Sequence, residues 1–252
     1  MKITGNLIIF STDNEERKDV RRLKEKKLQV LLDKDNCLPT FKINNKEYIK
    51  KSAENEVESL FDTKTFYIEQ LYTWGIPEYY TDTSELVVTY LVIINKKNVK
   101  KMPANMNFYD IFIENKQTPN VQTITLSSEN KNIMYEIETI VEKTRDNMEY
   151  KNKLTGNYDI GELTAITIHT GIKRLRIRIE NTNIAFSFLS KEFAISELQQ
   201  VYEIILDKKL VDANFRKKIG PMIKKTDKVV KESAYRPSAQ YTFNESFMKN
   251  WV

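Results

Sequence analysis

Between Ser196 and Phe243 the chain carries a pattern that few folds accommodate. Leu198, Val201, Tyr202, Ile205 and Leu206 recur at helical spacing and share one face. Ser196 with Gln199 reads as a capping box that opens this helix. A second helix is predicted from Asp212, a good N-cap residue, with Phe215 and Ile219 buried. Gly220–Pro221 stops it, because proline removes a donor and glycine tolerates the turn. Extended segments at Met222–Val230 and Gln240–Phe243 then predict a hairpin with its tip at Lys231–Ser238. Helix, turn, helix and two-stranded wing is the order of a winged helix-turn-helix.

The charge is concentrated in the same region. From Lys208 to Arg236 there are ten lysines and arginines against Asp212, Asp227 and Glu232, in a chain of net charge +5. The remainder of the molecule is therefore slightly acidic. On the second helix Asn214, Arg216 and Lys217 stand opposite Phe215 and Ile219, which is the arrangement of a helix that reads DNA. Arginine can fork onto guanine and asparagine onto adenine, whereas lysine mostly neutralises phosphate. Ser196, Gln199, Lys218, Lys231, Arg236 and Ser238 complete the expected contact set, with Arg236 offered by the wing tip to a minor groove or a phosphate. The pattern alone serves equally well for a small helical domain that packs on its neighbour with a solvated basic face.

Upstream, strands are expected at Asn6–Phe10, Leu28–Leu32, Thr65–Thr73 and Leu86–Ile94, the last as a buried central strand. Residues 13–27 read as a charged loop or exposed helix, and Lys50–Leu60 as a helix with Ala53, Val57 and Leu60 apolar. Val121–Leu126 and Ile133–Val141 predict a hairpin. A long helix covers Asp159–Ile179, begun by Asp159 or by Gly156–Asn157, with Leu163, Ile166, Ile168, Ile172, Leu175 and Ile179 as its buried positions. Ile184–Leu189 is an apolar connector. Strands first and helices later predict an α+β protein with an N-terminal domain over residues 1–181 and a second over 182–252.

Cys37 is the single cysteine and His169 the single histidine, so an internal disulfide and a Cys/His zinc cluster are excluded. No nucleophile elbow accompanies His169. The apolar run near Met1 is too short for a signal peptide, and no stretch approaches the roughly 18 apolar residues of a membrane span. The expected compartment is a reducing cytoplasm, with no membrane and no cofactor.

The run Leu198-Gln199-Gln200-Val201-Tyr202-Glu203, followed by Asn214-Phe215-Arg216 and Lys217–Lys218, resembles the winged-helix domain of Nudix-related transcriptional regulators. The resemblance continues through Lys173–Arg176 and Ile184–Phe186, and in Gln70–Gly75. It implies that the larger domain is a Nudix-like α/β/α sandwich with a mixed sheet, serving as sensor and dimerisation domain. Aligning Glu47 with the first acid of a Nudix box retains Leu38–Pro39 and Glu56–Val57 in register. The box glycines become Thr40 and Phe41, its arginine Asn55, its two metal-binding glutamates Ser59 and Leu60, and its last glycine Asp62. The acids of an active box hold Mg²⁺ or Mn²⁺, and a hard cation needs several oxygen ligands. The resemblance thus implies a degenerate box with no catalytic residue and no metal site. It also implies an effector of ADP-ribose or sugar type, contacted by Glu47, Glu56, Tyr72 and Trp74, and a homodimeric repressor on palindromic double-stranded DNA. Two other readings stand beside it: a Nudix-type hydrolase with an atypical metal site, and an interaction module whose basic face binds protein or RNA.

Overall fold

Strand β1 (Lys2–Thr12) is the hub of the sheet, and its composition shows why: from Leu7 to Thr12 every residue is buried. A run buried on both faces needs a layer on each side. The computed structural model, which describes residues 2–12, 26–76, 84–156, 158–230 and 238–248, supplies both layers. β1 pairs in parallel with β5 (Glu85–Ile93) and antiparallel with β2 (Leu28–Asp33) and the short β3 (Thr40–Phe41). Beyond β5 lies the edge strand β4 (Tyr67–Ile76). Beyond β2 follow β6 (Met106–Asn115), β7 (Val121–Ser127), β8 (Asn132–Lys143) and β9 (Met148–Thr155), each antiparallel to the last. The sheet is therefore mixed.

Alternation along β1 sends Leu7 and Ile9 to one face and Ile8 and Phe10 to the other. The first pair joins Phe41, Tyr90 and Val92 beneath α1 (Ile49–Phe61), which contributes Ala53, Val57 and Phe61. The second pair joins Leu91 and Ile93 beneath α2 (Glu162–Asn181), which contributes Ile168, Ile172, Leu175 and Ile179. This is the expected α/β/α sandwich. Leu163 and Ile166, expected among the buried positions, are only half-buried.

Some boundaries differ from the sequence-based expectation. α2 begins at Glu162 with Gly161 in the N-cap position, not at Asp159; Asn157 lies outside the described residues, as do residues 13–25 of the charged segment. β6 and β9 occupy a stretch where the sequence gives no clear period. β9 reads Met-Glu-Tyr-Lys-Asn-Lys-Leu-Thr and is exposed over most of its length, so it carries no apolar alternation to reveal it.

α2 is also the joint with the C-terminal elements: a 3-10 turn at Ile184–Phe188, α3 (Ile195–Leu206), α4 (Asp212–Ile219), the hairpin β10 (Ile223–Val230) and β11 (Ser238–Phe243), and α5 (Glu245–Met248). Ile184, Ala185, Phe188, Leu198, Val201, Tyr202 and Ile205 are buried in the same core as Leu175 and Ile179. Arg176 Nε donates to the Ile205 carbonyl at 3.0 Å, satisfying an orphan acceptor at the end of α3. On the sheet side Arg178 and Arg174 both reach Glu69 of β4, at 2.8 and 3.4 Å. Among the described residues no helix is long and apolar enough to cross a membrane.

Gly171 marks the closest approach of α2 to β1. A Cβ there would lie 2.7 Å from Ile8 Cδ1 and 2.9 Å from the Phe10 ring. Ala is favoured over Gly inside a helix by about 1 kcal/mol, but both neighbours are fully buried and overpacking costs about 1–3 kcal/mol. The clash is expected to win: Gly171→Ala should lower unfolding free energy in urea, and an increase would contradict this packing. His169 yields a second expectation. It is buried, its Nε2 lies 3.0 Å from Gln122 Oε1, and burial first, then Lys173 and Arg176, push its pKa from 6.5 down to about 4. Above pH 6.5 the ring is neutral in both states; as pH falls, the unfolded chain protonates first and stability is lost until about pH 4. At 1.36 kcal/mol per pH unit the loss is about 3 kcal/mol. Urea titrations across this window should show His169→Gln lacking that loss, whereas parallel profiles would refute it.

Candidate nucleic-acid interface and ligand cleft

The helix-turn-helix is built from its apolar faces outward. Leu198, Val201, Tyr202 and Ile205 of α3 meet Phe215 and Ile219 of α4, and the Tyr202 and Phe215 rings pack edge-on at 5.2 Å. α3 starts two residues earlier than expected. Its N-cap is Ala194, whose N–H donates to Glu197 at 2.8 Å, so Glu197 and not the Ser196–Gln199 pair guards this end. Alanine has no side-chain acceptor to return the bond. Likewise Val211 is the N-cap of α4, and Asp212 lies in its first turn, where a carboxylate is favoured by the helix dipole.

Gln199 and Glu203 hold the turn between the helices. Gln199 Nε2 donates to the Leu210 carbonyl at 3.2 Å and to Asp212 at 2.8 Å. The Leu210 N–H donates to Glu203 at 2.9 Å, and Lys209 Nζ lies 3.4 Å from the same carboxylate. Burial pushes the Glu203 pKa up, but the Leu210 N–H, the Gln199 amide and Lys209 outweigh it and hold the carboxyl below its ordinary range. Both residues belong to the run that carried the family resemblance. The Gln199 amide is thus spent within the fold, a structural part that its place in the expected contact set did not convey. Glu203 was absent from that set, although an acid shortly before a tight turn is a signal that could have found it.

With the apolar face spent, α4 presents Asn214, Arg216, Lys217 and Lys218 as exposed side chains. The three cations occupy the last turn, where the helix dipole favours them. Lys218 Nζ also stands 5.2 Å above the Tyr202 ring, which ties it to the helix pair. Ser196 is exposed in the first turn of α3, and Ser196, Gln199 and Arg216 line one groove of ≈ 630 Å³ between the helices. Glu203, Asp207 and Asp212 line it too, so the groove itself is of mixed charge, and the cations of α4 are gathered in its last turn.

The wing is a twisted hairpin pairing Ile223 with Phe243 and Val230 with Ser238, with a bulge between Lys225 and Val229. Met222, expected in its first strand, belongs instead to the 3-10 turn that Gly220–Pro221 imposes. Phe193 exchanges backbone bonds with Tyr241 at 3.0 and 2.9 Å, fixing the wing to the start of α3. Lys224 and Lys225 are exposed on β10. Lys231 and Arg236 lie outside the described residues; Ser238 is placed as the first residue of β11.

The second site is a cleft of ≈ 1010 Å³ where the edges of β1, β3 and β5 meet the starts of α1 and α2. Glu47 and Glu56 line it, together with Asn55, Thr40 and Phe41. Tyr72 and Trp74 do not, contrary to expectation: their rings pack on each other at 4.5 Å along β4. Phe41 lies flat over Gly5, whose added Cβ would meet the ring at 2.2 Å, so this aromatic fills the strand surface at one of the expected glycine positions. The Glu47 carboxylate accepts from Ser52 at 2.9 Å and from Asn55 at 3.4 Å. Ser59 is exposed, and Leu60 packs against the α1-side core. Among the described residues no group of three or more His, Cys, Asp or Glu is placed to hold a metal ion. These residues do not fit the oxygen-rich shell a hard divalent cation requires.

Residues 185–243 match the family model described as the NrtR DNA-binding winged helix domain. Among solved structures the chain is similar to a MutT/nudix family protein from Enterococcus faecalis, at 18% identity over 96% of this chain and 88% of that one, with a TM-score of 0.64. It is also similar to Shewanella oneidensis NrtR complexed with a 27mer DNA, at 16% identity over 98% and 95%, with a TM-score of 0.62. For Shewanella oneidensis NrtR without DNA the values are 15% over 97% and 94%, with a TM-score of 0.60. At these identities the likeness is one of fold: a Nudix-like domain followed by a winged helix. No curated protein matches the sequence.

The turn between α3 and α4 is the most exacting part of this interface. Glu203→Ala leaves the Leu210 N–H without its acceptor and should cost about 1–3 kcal/mol of stability by denaturant unfolding. Glu203→Gln keeps an acceptor oxygen and should cost less. Equal losses from the two variants would show that the bond to Leu210 is not what holds the turn.

Proposed function

We propose that the protein is a metabolite-responsive transcriptional repressor that reads DNA through α4 and the wing, because residues 185–243 match the NrtR winged helix model and the larger domain has a Nudix-like fold. The observation that carries this reading is the exposure pattern of α4: Phe215 and Ile219 are buried, while Asn214, Arg216, Lys217 and Lys218 are all exposed. Asn214 and Arg216 supply the amide and guanidinium that read base edges, and Lys217, Lys218, Lys224 and Lys225 meet the phosphates on either side. The DNA complex of Shewanella oneidensis NrtR supports the assignment, since its fold spans nearly the whole of this chain.

In this account the cleft beside α1 receives the effector, a nucleotide- or sugar-type metabolite, and hydrolyses nothing. Glu47 is already bound by Ser52 and Asn55, and Ser59 and Leu60 supply no second carboxylate where a metal-bridged diphosphate would need one. An effector that binds the DNA-competent and incompetent arrangements unequally shifts their populations and releases the operator. A palindromic site read by a two-fold dimer follows from the recognition geometry. Cytoplasmic residence and domain limits of 1–181 and 182–252 belong to the same proposal.

A second reading, a hydrolase of nucleoside diphosphate derivatives, is favoured by one observation: Glu47 and Glu56 both line the cleft. Turnover that requires Mg²⁺ or Mn²⁺ and disappears in Glu56→Gln would replace the silent-sensor reading with this one. The DNA reading is tested by gel shift on the DNA upstream of the gene. Arg216→Ala/Lys217→Ala should weaken binding about tenfold to hundredfold and flatten the salt dependence by roughly one to two released counterions. Unchanged affinity would exclude α4 as the reading helix.

A further inference from the structure

We propose that the outer edge of β9 is the dimerisation surface, where it pairs antiparallel with β9 of a second copy about a two-fold axis through Tyr150. The inference rests on the functional reading only in that reading's need for a dimer; its structural basis is independent. β9 ends the sheet, paired with β8 alone among the described residues, so its other edge is a row of unmatched backbone donors and acceptors.

The side chains around that edge extend the core beyond the cover that α2 provides. His169 meets the row of Gln122, Ile137 and Leu154 through its bond to Gln122. One helical turn on, Lys173 reaches the next row, donating to Thr139 at 3.4 Å and Asn152 at 3.2 Å. Four helical residues rise about 6 Å and two strand residues about 6.8 Å, so the two elements keep step. The same step again brings Ile177 toward the row of Val141 and Tyr150, but there the surface is open. Ile177 is 63% exposed, Tyr150 65%, Met148 52% and Val141 43%. An apolar stripe that runs out of the core onto an unpaired strand edge marks a partner surface rather than chance exposure.

The charges indicate that the partner is a second copy. With Tyr150 opposite Tyr150, Glu149 falls opposite Lys151 of the second copy and Lys151 opposite its Glu149, while Met148 meets Asn152. No like charges oppose each other in this register, and cross-strand pairs of this kind stabilise a sheet. Lys151 already lies 2.5 Å from Glu142 of its own hairpin and so would stand between two carboxylates. A two-fold axis normal to the sheet keeps both copies of α2, and the winged helices that follow them, on one side of a continuous sheet. Two half-sites on one duplex require that arrangement.

The test is a cysteine at the axis. Directly opposed residues of an antiparallel pair have Cα atoms about 4.5–5.5 Å apart, within disulfide range. In a Cys37→Ser background, which removes the one native thiol, Tyr150→Cys should convert to covalent dimer under mild oxidation, while Tyr48→Cys, 89% exposed on the far side of the sheet, should not. Tyr150→Lys sets like charges face to face and should raise the dimer dissociation constant at least tenfold by sedimentation, with the far-ultraviolet circular dichroism of the folded chain unchanged. A wild-type chain that stays monomeric at all concentrations overturns the proposal. So does Tyr150→Cys crosslinking no faster than the control, or Tyr150→Lys with an unchanged dissociation constant. Failure of the DNA reading appears differently, as a crosslinked dimer that shifts no DNA; failure of this surface leaves DNA binding intact with no crosslink.

Discussion

Everything in this molecule hangs on the seating of α2. Its buried stripe of Ile168, Ile172, Leu175 and Ile179 lies on the sheet and then beneath α3, and burial of each side chain contributes about 1.5–3 kcal/mol. Gly171 allows the helix backbone to approach Ile8 and Phe10. Arg174 and Arg178 clasp Glu69 on β4, and Arg176 reaches forward to the Ile205 carbonyl. The same twenty-residue helix is therefore a wall of the N-terminal core, a contact of the cleft through Leu163, and the support of the helix-turn-helix. A small displacement at one end has a packed route to the other. That is the physical content of the proposed coupling between effector and DNA.

The two halves divide the chemistry. The cleft beside α1 carries one carboxylate, Glu47, already bound by Ser52 and Asn55, an aromatic ring against Gly5, and a leucine packed against the core. These residues make little provision for the oxygen-rich shell of a divalent cation. The excess positive charge lies at the other end, on the exposed side of α4 and on β10. Placing Arg216, Lys217 and Lys218 at a helix C-terminus makes that charge electrostatically inexpensive within the fold.

What could be read from the sequence follows the strength of local periodicity. β5 and the β7–β8 hairpin were legible because apolar residues dominate or alternate cleanly there, and α3 because its five apolar residues keep helical spacing. β9 and β6 were not, since an edge strand and a half-covered one need no apolar period. Helix starts were misplaced where the sequence offered an attractive cap and tertiary packing chose another residue: Ala194 over Ser196, Val211 over Asp212, Gly161 over Asp159. Of the site residues, the exposed face of α4 was visible from spacing alone. That Gln199 is a strut, that Tyr72 and Trp74 stand apart from the cleft, and that Glu203 holds the turn depend on contacts between segments, which spacing cannot show.

The central claim is that α4 and the wing are the output surface of the whole chain. Hydrogen–deuterium exchange of the full-length protein, with and without the DNA upstream of its gene, tests it most directly. The account predicts slower exchange across Asp212–Ile219 and Ile223–Val230 on adding DNA, with β1, β5 and the cleft around Glu47 unchanged in a ligand-free sample. Protection centred on the cleft, or none in α4, would contradict it.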